Sequence, residues 1–213
     1  MRKTRWLKPI VFVLCLVPLG LLAKKGFTGD LGANPIEVIT HSTGLWALTF
    51  LLITLGITPL RKLSGLPWLI AFRRMLGLFA FFYASLHFLT YIWLDKFFDV
   101  QDMIHDVGKR PFITVGFTAF VLLIPLALTS TRRMIQRLGG KRWQLLHRLI
   151  YVSAVAGVLH FLWLVKKDIT QPAIYGAILA GLLVYRIVVK LRPKRSAASL
   201  PAHAAARQVP SEQ

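Results

Sequence analysis

Cysteine is all but absent from this sequence of 213 residues; Cys15 is the single one. One thiol excludes an intrachain disulfide and any metal site built from several cysteine ligands. Acidic residues are scarce too, 8 against 27 Lys and Arg, so the formal charge is +19. Charge of either sign is thin, at 16% of residues. An isoelectric point near 11 ordinarily marks a nucleic-acid binder. Such a domain, however, spreads its basic residues over a wetted surface, and here they sit in short clusters between long apolar runs. With 55% hydrophobic residues and a mean hydropathy of +0.59, the chain is neither disordered nor an ordinary soluble domain, and no nucleic-acid partner is expected. An integral membrane protein remains.

A hydrocarbon core of about 30 Å takes roughly 20 apolar residues as helix. Six stretches meet that length, at about 6–23, 40–58, 75–94, 112–130, 145–165 and 172–189. The expected fold is therefore all-α, a six-transmembrane-helix bundle over residues 1–192. The first stretch also resembles a secretory signal, with Arg2, Lys3 and Arg5 ahead of an apolar core. Leu21 fills a position before Ala23 where cleavage wants a small residue, so an uncleaved helix is expected. Residues 193–213, rich in Ala, Ser and Pro, read as a disordered tail. No repeat of fixed period is visible.

The loops set the orientation. Twenty of the 27 basic residues fall on one side: the N-terminus, the second loop (Arg61, Lys62, Arg73, Arg74), the fourth loop (Arg132, Arg133, Arg137, Lys141, Arg142, Arg148) and the C-terminal end. Seven of the 8 acidic residues fall on the other. Loop lysine and arginine mark the cytoplasmic face, so both termini are expected in the cytoplasm, with the basic face also suited to anionic lipids. Trp6, Trp68 and Trp143 near inner ends, and Trp93 and Trp163 near outer ends, follow the aromatic belt.

No carboxylate lies in mid-span, which argues against a proton-coupled transporter. Histidines supply the candidate chemistry, because an ionisable residue inside a span is costly and is retained for a reason. His87 precedes Asp95 by 8 residues, about 12 Å along helix three. His160 precedes Lys166 by 6 residues, about 9 Å along the parallel helix five. Two imidazoles at one depth on parallel helices can clamp a heme iron as axial ligands, giving a six-coordinate electron carrier. The alternative is that each merely hydrogen-bonds a neighbouring helix.

His147 lies 13 residues before His160, at the inner boundary. It reads as half of a second heme site, since the matching level of helix three carries Arg73 and Arg74. A second reading gathers Arg73, Arg74, Lys141, Arg142, Trp143 and His147 into an anion site for a flavin phosphate and ring. Ordinary anchoring by basic residues is a third. His41 is either a third outer histidine, near a heme propionate or a quinone, or a plain helix-terminal polar residue. The outer segment from Asp95 to Arg110 carries four aspartates, which would steer a basic partner or simply solvate the loop. His105 and His203 receive no role.

Six helices with histidines at these places resemble the ferric-reductase-like transmembrane domain. That family uses two histidines on each of helices three and five, and here helix three supplies only His87. Three segments, ITPLRKL (57–63), FRRMLGLFAFFYASLHFLTY (72–91) and TSTRRMIQRLGGKRWQLLHRLIYV (129–152), are closest to one branch, the MsrQ (formerly YedZ) family, over about residues 6–192. The resemblance implies a heme-binding membrane subunit of the bacterial inner membrane, with heme b and FMN. It implies electrons from the quinone pool or a cytoplasmic flavin reductase, and delivery to MsrP, a periplasmic molybdopterin enzyme that repairs oxidised methionines in envelope proteins. No nucleophile, molybdenum ligand or acid–base pair is evident, so the chain is expected to carry electrons rather than to act on methionine sulfoxide. The rival expectation is a non-redox membrane scaffold for a periplasmic partner.

Overall fold

The computed structural model describes residues 2–165 and 167–191, with the side chains of Arg2 and Lys3 left aside. The expected tail, His203 and the Lys166 used to gauge depth lie outside the described residues. Among these residues nine α-helices follow one another: α1 (Arg2–Thr28), α2 (Pro35–Ser64), α3 (Ile70–Thr90), α4 (Val100–Lys109), α5 (Pro111–Leu128), α6 (Arg132–Leu138), α7 (Gly140–Leu146), α8 (Leu149–Leu164) and α9 (Thr170–Leu191). There is no strand among the described residues. A 3-10 turn, Pro67–Leu69, leads into α3, and a π-helical turn, Tyr91–Asp95, extends it. Among the described residues, six helical segments are long and apolar enough to cross a membrane: Thr4–Thr28, Pro35–Ser64, Pro67–Asp95, Pro111–Leu128, Gly140–Leu164 and Thr170–Leu191.

Local chemistry sets the helix ends. Asn34 caps α2 by accepting the Glu37 N–H, and Pro35 occupies the first turn, where its missing N–H costs nothing. Gly65 ends the same helix in the left-handed conformation (φ 67°) that a side chain resists. Asp99 caps α4 and Thr131 caps α6 in the same way. The basic fourth loop is thus two short helices, α6 and α7, rather than a plain connection. Between the π turn and α4, Phe97 (φ 49°) and Phe98 (φ 63°) take left-handed backbone that aromatic residues rarely adopt.

The core lies where α2, α3, α5 and α8 meet. α2 packs chiefly on α3 and α5 on α8, with α1 and α9 applied outside. Phe50, Leu55, Phe79, Ala80, Tyr83, Leu123 and Ala154 are buried in one cluster. Glycines let the helices approach: a β-carbon on Gly77 would sit 3.5 Å from Thr54 Cγ2, and one on Gly157 would sit 3.4 Å from Leu48 Cδ1. Apolar side chains also cover the outside, among them Ile10, Phe12, Val13, Ile178, Val184 and Ile187. In lipid these need no further partner.

Prolines inside the spans remove backbone donors, and side chains enter the helical ladder beside two of them. Pro18 interrupts α1, and the Tyr83 hydroxyl sits in the next rung. It donates to the Cys15 carbonyl (2.8 Å) and accepts from the Leu19 N–H (3.2 Å). Pro59 cannot donate to the Leu55 carbonyl one turn earlier. Arg186 of α9 does so instead, at 2.5 Å. Cys15 is a free, buried thiol.

Candidate functional site: a pair of facing histidines

His87, near the end of α3, and His160, near the end of α8, face each other with ring centres 6.0 Å apart and planes at 73°. Both are held by the same device. His87 Nδ1 bonds the Thr40 carbonyl at 2.8 Å across 47 residues, and His160 Nδ1 bonds the Phe112 carbonyl at 2.7 Å across 48. A carbonyl only accepts, so each Nδ1 carries the proton and each Nε2 keeps its lone pair. One turn further along the supporting helix stands a glycine against the imidazole. A β-carbon on Gly44 would lie 2.9 Å from His87 Nδ1, and one on Gly116 would lie 2.6 Å from His160 Nδ1. The α2–α3 and α5–α8 pairs therefore repeat one motif: carbonyl, glycine four residues on, imidazole. Sequence reading found no repeat because the motif is three residues spread over more than forty.

The two rings open on a cavity of about 360 Å³ between α2, α3, α5 and α8. Its walls are mainly apolar, with Leu48, Phe88, Phe120 and Leu123 among them. Its polar lining gathers toward the α4 end, in Thr40, His41, Tyr91, Asp95 and Arg110. With a metal–imidazole bond of about 2 Å and a ring radius of about 1 Å, two imidazoles sharing a metal have centres about 6 Å apart. The observed separation meets that spacing. His41 lies on the cavity wall, edge-on to Phe161 at 5.6 Å.

A lid closes this end. Lys96 hydrogen-bonds Asp102 (2.5 Å) and pairs with Asp106, which also meets Arg110 Nε at 3.4 Å. These contacts tie α4 to the end of the π turn and to the start of α5. They hold the Lys96 amine well above the usual lysine range and the Asp102 carboxyl below the usual carboxylate range.

The basic residues of the opposite end divide. Arg74, Lys141 and Arg142 are exposed. Arg73 is half-buried, within electrostatic reach of Tyr151, Arg186 and His147. Arg186 also lies over the Tyr151 ring at 5.3 Å. His147 sits at the break between α7 and α8, stacked on Trp143 with centres 3.8 Å apart, its Nδ1 on the Trp143 carbonyl at 3.0 Å. Its Nε2 is buried without a hydrogen-bond partner. Trp143 in turn donates to the Thr129 carbonyl at 2.9 Å. His147 and Trp143 are thus brought together, with Arg73 beside them, while Arg74 and Arg142 face away.

Residues 43–158 match the family described as the ferric reductase like transmembrane component. A protein of Herminiimonas arsenicoxydans named protein-methionine-sulfoxide reductase heme-binding subunit MsrQ is 61% identical over 183 residues, 85% of this chain and 84% of the relative. Proteins of the same name are 53% identical in Azospira oryzae (90% of this chain, 82% of the relative) and 52% identical in Ralstonia nicotianae (87% of each). The chain belongs to the MsrQ family. The matched segment contains both supporting glycines, His87 and His147, and stops two residues short of His160. The MsrQ relatives, aligned over most of this chain, carry the likeness well beyond that segment.

Sequence reading identified the two histidines but not what holds them. Nothing in the sequence alone sets Gly44, Gly116, Thr40 or Tyr91 apart, and Arg110 reads there only as a loop charge. A glycine deep in an apolar run was the available signal, since it costs helix stability and implies a close neighbour.

Proposed function

We propose that this protein is a membrane b-type cytochrome. It passes electrons from the quinone pool or a cytoplasmic flavin reductase to a periplasmic molybdopterin methionine-sulfoxide reductase of the MsrP kind, which repairs oxidised envelope proteins. The observation that carries this reading is the His87–His160 pair, with both Nδ1 atoms fixed on backbone carbonyls and both rings on the lining of one cavity. The relatives' name, heme-binding subunit, supplies the group.

The residues present fit heme on three counts: ligand spacing, a cavity walled by aromatic and aliphatic side chains, and glycines that leave the rings room. When bound, heme b supplies a reversible one-electron carrier whose potential follows its axial ligands and surroundings. His87 and His160 would be those ligands, and the carbonyls of Thr40 and Phe112 fix their tautomer and raise their basicity.

His147, with its unpartnered Nε2, is the residue for a second ligand site. Trp143 stacked on it and Arg73 beside it would line the place for FMN or an inner heme, with Arg74 and Arg142 exposed at the same end. The α4 end, with four aspartates between Asp95 and Asp106, faces the periplasm. The α6–α7 end and both termini face the cytoplasm, as the basic loops require in the inner membrane.

The test is the visible spectrum of the purified full chain, expressed with ample heme. A Soret band with low-spin features is expected; His87→Ala and His160→Ala should each abolish the site between them, and full heme retained in His147→Ala would show that His147 is not an obligatory ligand. A folded protein without a Soret band would leave the scaffold reading in its place. Reoxidation of the reduced protein by the periplasmic reductase and methionine sulfoxide checks the delivery step.

A further inference from the structure

The α4 end of the histidine cavity holds polar groups that the ligand pair does not use. Thr40 Oγ1 and Tyr91 OH are both buried and have no hydrogen-bond partner, and both residues line the cavity. A buried hydroxyl without a partner is costly, so two beside one cavity point to a ligand that accepts from them. Arg110, 54% exposed at the side chain, lines the same wall and spends only a long 3.4 Å contact on Asp106. Its remaining guanidinium donors are free for an anion.

These groups are tied to the ligand histidines through the backbone. Tyr91 follows His87 by one helical turn, about 6 Å further toward α4, and it begins the π turn. A π turn changes the helical register, and such turns are frequent at functional sites. Thr40 is the residue whose carbonyl holds His87. Arg110 caps α5 two residues before Phe112, whose carbonyl holds His160. The three donors therefore form a rim just beyond both imidazoles, on the side nearer to water. Asp95 is the one carboxylate on the cavity lining; it lies a further turn out and is exposed.

We propose that Thr40, Tyr91 and Arg110 form a carboxylate-binding rim that holds the propionates of the group clamped by His87 and His160. The proposal rests on the heme reading above. Two hydroxyl donors and one guanidinium with free donors suit two carboxylates at the edge of the cavity. The rim fixes which edge of the macrocycle points toward α4, so these three are positioning residues, distinct from the axial ligands.

The test compares two porphyrins on the full-length protein purified in detergent from heme-starved cells: hemin, and hemin dimethyl ester, whose carboxylates are masked. Absorbance titration gives a dissociation constant for each. The wild-type protein is expected to prefer hemin at least about tenfold, the equivalent of one charge-assisted hydrogen bond. Tyr91→Phe and Arg110→Gln should each cut that preference, and together bring it near unity, while the low-spin bis-histidine spectrum persists. Equal binding of the two porphyrins by the wild-type chain overturns the rim, and that comparison needs no variant. An unchanged preference in a folded double variant overturns the assignment of these residues. Failure to bind either porphyrin sinks the heme reading itself, and the rim with it.

Discussion

Gly116 leaves the His160 imidazole its place: a β-carbon there would meet Nδ1 at 2.6 Å, inside any real contact. Gly116→Ala must therefore displace the ring or push α5 and α8 apart. In a helix, alanine for glycine otherwise adds up to about 1 kcal/mol of stability. Loss of cofactor without loss of fold is the expected result. Gly116→Ala should purify as a helical protein with most of its Soret absorbance gone. Gly44→Ala, with a 2.9 Å approach to His87 Nδ1 and Cε1, should lose less. Heme-to-protein ratio and circular dichroism on the same sample check both.

The α4 lid depends on Lys96. Its side chain is 10% exposed and serves Asp102 and the buried Asp106. Removing the partner of a buried carboxylate costs about 3 kcal/mol or more, so Lys96→Met should raise hydrogen exchange in Val100–Lys109 about 100-fold. The pH response follows from the two shifts. Lys96 is raised, so its contribution is complete below the ordinary lysine value of about 10.4 and lost as pH rises through its higher folded value. Asp102 is lowered, so its contribution is complete above about 3.9 and lost as pH falls through its lower folded value. After correction for intrinsic rates, protection of α4 should be flat from about pH 5 to 9. A slope within that window would mean that another group holds the lid.

Tyr83 fills a rung that the Pro18 region of α1 leaves open, touching Cys15 and Leu19 at once. It is 1% exposed. Tyr83→Phe keeps the ring stacked on Phe50 (5.3 Å) and removes only the hydroxyl. A loss of about 1–3 kcal/mol is expected from the two bonds, read as a lower midpoint in detergent unfolding with the Soret band unchanged in the folded protein. A shifted Soret band would show that α1 bears on the ligand pair after all.

The depth match of His87 and His160 was legible because helix rise is constant and the charged flanks bound each span. The spans themselves were legible as apolar runs, although α2 extends to Pro35–Ser64 against an expected 40–58. An apolar run measures the hydrocarbon crossing, while a capped helix continues through the interface to its cap residues. α4 escaped notice because its apolar residues Val100, Met103, Ile104 and Val107 are interleaved with aspartates that read as an acidic loop. Gly44 and Gly116 could not be ranked above other glycines, because what distinguishes them is a histidine more than forty residues away. Arg186 reads in the sequence as an anchoring charge. Composition gives the sign of a side chain near the membrane face and says nothing of whether it turns inward.

That inward turn of Arg186 yields the prediction that depends least on any cofactor. Pro59 lacks the N–H that would bond the Leu55 carbonyl, and Arg186 supplies the donor from α9 at 2.5 Å while a second guanidinium nitrogen reaches the Leu182 carbonyl at 3.2 Å. Arg186→Met retains much of the aliphatic bulk and leaves the Leu55 carbonyl unpaired in a setting where water cannot reach it readily, a cost of about 1–3 kcal/mol. Pro59→Ala restores the missing donor within α2 itself. In that background Arg186→Met should cost about 1 kcal/mol less or better, so the two substitutions are non-additive in a double-mutant cycle of detergent unfolding. Strict additivity would place the worth of Arg186 in its contact with Tyr151 instead. Arg186→Lys separates the two contributions further: an ammonium can still reach one carbonyl but cannot serve Leu55 and Leu182 with a planar fork, so it should recover only part of the loss.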